Sequence, residues 1–69
     1  KIDYVLPESG TVTLKAYDMS GRLVETIVDA NQEAGAYSTL VKSFAWESGM
    51  YLYVLTCNGN TISRRMLHQ

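Results

Sequence analysis

From Thr11 to Asp18 apolar and polar side chains alternate without a break, with Val12, Leu14 and Ala16 on one side and Thr11, Thr13, Lys15 and Tyr17 on the other. A period of two marks a half-buried strand whose apolar face turns inward. The pattern stops at Asp18-Met19-Ser20-Gly21. An Asp there can bond the backbone two residues on, and Gly supplies the positive φ that closes such a turn. Alternation resumes from Arg22 to Asp29, with Val24, Thr26 and Val28 against Leu23, Glu25 and Ile27. Two such runs around a short turn predict a hairpin.

Ala30 to Gly35 is polar, ends in Gly and is expected to be a connection. Ala36 to Phe44 holds Tyr37, Thr39, Val41 and Phe44 and is expected to be a strand. Glu47-Ser48-Gly49 makes another turn, before the most apolar run, Met50 to Cys57. Its faces are Met50, Leu52 and Val54, and Tyr51, Tyr53 and Leu55. Large groups on both predict a central strand, covered on both sides or shielded outside by aromatics. Asn58-Gly59 is a strong hairpin signal, and Asn60 to Leu67 returns with Ile62, Arg64 and Met66 alternating with Ser63, Arg65 and Leu67. At the front, Ile2, Tyr4 and Leu6 form a short strand stopped by Pro7. No helical period and no internal repeat is visible. The pattern predicts an all-β, antiparallel β-sandwich of six to seven short strands.

Composition narrows the functions open to such a fold. Sixty-nine residues make a single domain, and 46% hydrophobic with 19% charged residues is the balance of a folded one. A net charge of −1 offers no electrostatic reason to expect nucleic acid or an anionic membrane as partner. No apolar run approaches the ~18 residues of a membrane span, and no stretch of these residues is expected to act as a signal peptide. Beginning at Lys1, the chain is expected to be part of a longer protein. Cys57 and His68 are each the sole residue of their type, so no internal disulfide and no metal-ligand spacing arises. Cys57 is expected to be a small buried group in a strand, and His68 a solvated terminal residue. The carboxylates of Asp3, Glu8, Asp18, Glu25, Asp29, Glu33 and Glu47 are scattered, with no acid–base pair suggested by spacing. The expectation is a non-enzyme without metal or cofactor.

A set of motifs recurs in order along the whole chain. The first half holds Ile2-x-Tyr4-x-Leu6-Pro7-Glu8-Ser9-Gly10, Val12-Thr13-Leu14 and Tyr17-Asp18-Met19-Ser20-Gly21-Arg22-Leu23-Val24. The second holds Ala34-Gly35-Ala36-Tyr37, Ser48-Gly49-Met50-Tyr51-Leu52-Tyr53 and Ser63-Arg64-Arg65-Met66-Leu67. This ordered set resembles the type A C-terminal sorting domain of the bacterial type IX secretion system, found on cargo of Bacteroidetes and related phyla. The resemblance implies an immunoglobulin-like fold and a non-catalytic sorting signal covalently preceded by a cargo domain. Its implied partners are the outer-membrane translocon and a sortase-like peptidase, and the implied location is secreted or cell surface, reached through the periplasm. The family's turn corresponds to Asp18, Gly21 and Arg22, its G-x-Y step to Gly49 and Tyr51, and its basic-apolar terminal strand to Arg64, Arg65, Met66 and Leu67. That strand carries two arginines where many members have lysines.

Other readings stand beside this one. The pattern is also similar to the immunoglobulin-like domain of the flagellar hook-capping scaffold protein, which implies a structural accessory module. Tyr4, Tyr17, Tyr37, Trp46 and Tyr53 are the candidates for stacking on sugar in a small carbohydrate-binding module. Turn geometry alone accounts for Asp18 and Gly21, and a tight turn or bulge for Gly49. Tyr51 and Tyr53 suit packing. Arg64 and Arg65 fall on opposite faces of their strand, where they deter edge pairing or form part of an address.

Overall fold

The computed structural model describes residues 2–40 and 46–68. Six strands follow one another: β1 Ile2–Leu6, β2 Gly10–Asp18, β3 Leu23–Gln32, β4 Gly35–Thr39, β5 Gly49–Cys57 and β6 Asn60–His68. They form a four-stranded sheet in the order β3-β2-β5-β6 and a two-stranded sheet, β1-β4. Every pairing is antiparallel. The protein is a small all-β sandwich.

The alternation of β2 places Val12, Leu14 and Ala16 in the core, with Tyr53 and Leu55 of β5 and Leu6 of β1. β2 and β5 are the two central strands, in register from Val12 opposite Cys57 to Asp18 opposite Tyr51. Among the described residues no second layer covers the outer face of β5. Tyr17 and Arg65 flank Leu52 there, and Lys15 and Ser63 flank Val54. Aromatic and long-stemmed neighbours thus shield the outer face, and Met50 at its end is exposed.

β3 departs from its expected pattern in two ways. Ala30 to Gln32, expected to be a connection, continues the strand opposite Val12 to Gly10, with Thr11 Oγ1 donating to Asn31 Oδ1 at 2.6 Å. The connection to β4 shrinks to Glu33 and Ala34. The register also slips twice: Leu14 faces Val28 while Lys15 faces Thr26, and Ala16 faces Glu25 while Tyr17 faces Leu23. Ile27 and Val24 are the extra residues of two bulges, and a bulge shifts the side on which later side chains fall. The neighbours Ile27 and Val28 therefore both pack on the core, which strict alternation forbids.

β4 is shorter than the strand expected over 36–44; it spans Gly35–Thr39, and 41–45 lie outside the described residues. The Tyr4 and Tyr37 rings of β1 and β4 stack at 5.4 Å, and the Tyr4 hydroxyl donates to Gln32 Oε1 at 2.7 Å, tying the small sheet to β3. At the other hairpin, Asn58 and Gly59 have φ of 52° and 80°. Positive φ at both central positions is a type I′ turn, whose twist suits a tight hairpin. Asn58 Nδ2 donates to the Ser9 carbonyl at 2.9 Å, clasping this turn to the start of β2. Cys57 is half-buried rather than buried, its Sγ 4.0 Å from the Glu8 carbonyl. It sits at the rim, where the sheet runs out.

Candidate functional site

Strand register gathers the three motif groups at one end of the large sheet. Asp18 of β2 lies opposite Tyr51 of β5, which lies opposite Met66 of β6; beyond this row Gly49 faces His68 and Met50 faces Leu67. Arg64 faces Tyr53 on the inner side and Arg65 faces Leu52 on the outer side, so the two arginines do point to opposite faces. The Asp18-Gly21-Arg22 turn, the Gly49-Tyr51 step and the terminal strand, far apart in sequence, are neighbours in space.

The turn is held by one carboxylate. Asp18 Oδ1 accepts from the Ser20 hydroxyl at 2.6 Å and from the Ser20 and Arg22 backbone N–H groups at 3.0 Å each. Gly21 N–H donates to the Asp18 carbonyl, and Asp18 N–H to the Arg22 carbonyl, both at 3.0 Å. The Ser20 hydroxyl first, and then the Arg22 backbone N–H, lower the Asp18 pKa from its ordinary 3.8 to about 2. The Arg22 guanidinium adds least: its Nε–H reaches Asp18 Oδ2 at 3.2 Å, but the side chain is 83% exposed. Asp18 and Gly21 thus do structural work, and Arg22 closes the turn through its backbone while most of its side chain lies in solvent.

A lowered folded-state pKa stabilises the protein above the unfolded value and loses that contribution as pH falls through the folded one. Asp18→Asn is therefore expected to lower the melting temperature at neutral pH, with the gap to the parent closing between about pH 4 and pH 2. Thermal melts of both proteins across that range check it. A gap that persists at the acid end overturns the role given to the carboxylate.

The G-x-Y step proves to be a repeated device. Tyr51 O–H donates to the Glu47 carbonyl at 2.6 Å, and Tyr37 O–H to the Glu33 carbonyl at 2.6 Å. In each case the strand opens on a glycine of positive φ, 152° at Gly49 and 149° at Gly35, a conformation side-chained residues avoid. The segment Glu-x-Gly-x-Tyr occurs twice, at 33–37 and 47–51. Each copy turns the chain into a strand and locks the corner with the phenol, as a tyrosine corner does in sandwich folds. This short recurrence is a sequence signal that strand periodicity passes over.

Aromatic packing closes the same end. The Trp46 ring lies 4.7 Å from Tyr51, 6.5 Å from Tyr53 and 5.9 Å from His68, and Tyr51 lies 6.2 Å from His68. His68 is accordingly half-buried in an aromatic cluster, not solvated as expected. Tyr53 O–H points to Met66 Sδ at 3.0 Å. Burial raises the Tyr53 phenol pKa, and the negative charge of Glu25 adds to the effect. Of the aromatics considered for sugar stacking, Tyr4, Tyr37, Trp46 and Tyr53 all pack against the core. Tyr17 lies on the outer face, where no ring among the described residues neighbours it to complete a platform.

Among the described residues, no three His, Cys, Asp or Glu side chains converge as a metal site would require. No helix is long and apolar enough to cross a membrane. The arrangement can present a surface, and its most accessible element is β6, whose side chains are exposed from Asn60 to Leu67. One edge of β6 pairs with β5, and the other has no strand partner among the described residues. No protein-family model, curated protein or solved structure matches this chain. The likeness to sorting domains rests on the motifs themselves.

Proposed function

We propose that this domain is a type IX sorting module: a non-catalytic sandwich, immunoglobulin-like in kind, that addresses a covalently attached cargo domain to the outer-membrane translocon. A sortase-like peptidase acts on it afterwards, and the cargo ends secreted or on the cell surface. The observation that carries this reading is the terminal strand. β6 is nine residues long, exposed along nearly its whole length and, among the described residues, unpaired on one edge. Edge strands of this kind invite another chain, and proteins ordinarily shorten, bend or cover them. A receptor that adds a strand here gains main-chain hydrogen bonds along β6, while Arg65 and Leu67 on one face supply the side chains it reads. The turn at Asp18 and the corner at Tyr51 hold the neighbouring strands that support it.

A structural spacer of the hook-cap kind is the second reading. What favours it is that the Asp18 and Tyr51 side chains spend their bonds inside the fold.

The two separate in one experiment. Residues 1–69 are fused to the C-terminus of a periplasmic reporter, in a bacterium that has the type IX machinery. Reporter on the cell surface or in the medium is the expected result. Retention in the periplasm, with the domain folded and protease-resistant, sinks the sorting role and leaves the spacer.

A further inference from the structure

Two strands cannot cover four, and among the described residues the part of the large sheet left without a facing strand lies toward β6. Clefts of about 570 and 280 Å³ open between β1 and the β5–β6 hairpin, both bordered by Val5, Leu55 and Ile62. The larger is floored by Leu14, Tyr53 and Leu55, is bordered also by β4 at Ala36 to Ser38, and reaches Arg64. Val5 and Ile62 on its two rims are 68% and 54% exposed, large apolar side chains left in water. β1 pairs with β4 along one edge only, and its five residues have no second strand partner among the described residues. An unpaired backbone edge thus runs beside an apolar trough of ligand-pocket size.

Arg64 selects what can lie there. It stands on the inner face of β6, two residues from Ile62, and the ion pair formed among the described residues is Asp18–Arg22, far along the sheet from the trough. Asp3, also at the cleft, already accepts the Ser38 hydroxyl at 2.7 Å. Covering Arg64 without a counter-charge would strand a cation away from water. A second copy of this chain fits poorly. Its β1 would bring only Ile2, Tyr4 and Leu6 inward, and its β6 would set arginine against arginine.

We propose that the trough between β1 and β6 accepts an added strand from a partner protein, an extended segment that pairs with the free edge of β1, fills the trough with an apolar side chain opposite Ile62 and meets Arg64 with a carboxylate. Side chains on one face of a strand recur at every second residue, so the segment sought reads apolar-x-acidic. Main-chain pairing supplies affinity and the two inward side chains supply the choice. This slot is separate from the outer edge of β6, and its test does not depend on export.

The probe is a capped peptide, Thr-Val-Thr-Val-Thr-Glu-Thr, titrated into the 69-residue chain and followed by amide shifts in the ¹⁵N–¹H spectrum. The expected result is saturable shifts confined to β1 and to the stretch around Ile62 and Arg64. Binding should be about tenfold tighter than for the same peptide with lysine in place of glutamate. Arg64→Glu is expected to reverse that preference, and Arg64→Gln to abolish it, with the dispersion of each spectrum reporting that the variant is folded. Absence of β1 shifts with either peptide overturns the proposal, as does a preference unchanged in the folded Arg64 variants. Shifts at β1 that grow with protein concentration and no peptide would put a second copy in the slot, and would overturn it too.

Discussion

Leu14→Ala lowers the stability of the domain by about 3 kcal/mol. Leu14 is 2% exposed in the middle of β2, opposite Val28 on one side and Leu55 on the other. It packs in the core with Leu6 of β1 and Tyr53 and Leu55 of β5. The figure joins lost transfer from water to the unrelaxed cavity. Its weight comes from the size of the chain. A domain with 69 residues has roughly 3 to 10 kcal/mol of total stability at ordinary values per residue. The variant is thus expected to unfold partly at body temperature. Urea denaturation checks it: the midpoint falls and the slope stays. Leu23→Ala, at a β3 position 48% exposed, is the matched control and is expected to move stability by no more than about 0.5 kcal/mol. Equal losses in both would show that β2 does not form the centre of the core.

Deleting Met66 to Gln69 is the second large expectation, and it takes export of a fused reporter to background. The deletion removes the pairings of Met66, Leu67 and His68 with Tyr51, Met50 and Gly49. It also takes away the Met66 sulfur beside the Tyr53 hydroxyl and the His68 ring beside Trp46. Lost export alone would therefore not separate a missing address from a damaged fold. The paired substitution Arg65→Glu with Leu67→Glu makes the separation. Both side chains lie on the outer face of β6 and make no contact with the core. The expected outcome is a melting temperature close to the parent's with export lost. Export at the parental level from the folded double variant would remove β6 as the recognised element.

Local chemistry made much of this architecture legible. Val12, Leu14 and Ala16 declare their face because β2 pairs on both sides and carries no bulge. Asn58-Gly59 declares its turn because few residue pairs tolerate positive φ in succession. The turn from Asp18 to Arg22 finds its bonding partners within its own five residues. What escaped sequence reading depends on distant partners. Ala30 to Gln32 are polar because they pair at an exposed edge, and only the presence of Gly10 to Val12 across from them makes them a strand. The bulges at Val24 and Ile27 belong to the fit between β2 and β3 and leave no mark in either segment. His68 looked solvated because it is nearly the last residue, yet Trp46 and Tyr51 receive it. For the candidate site, the motif residues could be named individually, but their shared end of the sheet appears only once Asp18, Tyr51 and Met66 are in register.

The directions of the first and last strands bear on how the domain answers a pull. Leu6 lies beside Cys57 and Asn58 in the smaller cleft, whereas Ile2 lies in the larger one with Arg64. β1 therefore enters from the end of the sandwich at which β6 leaves. Tension applied between the two chain ends does not shear either strand along its whole length. It opens β1 from β4 starting at Ile2 and Thr39, and β6 from β5 starting at His68 and Gly49, one rung after another. Each rung meets the load alone, so the outer strands yield at low force, and the β2–β5 pair is loaded only after they have gone. A machine that hauls on the polypeptide would find a domain that stands firm at rest and unzips in order when drawn.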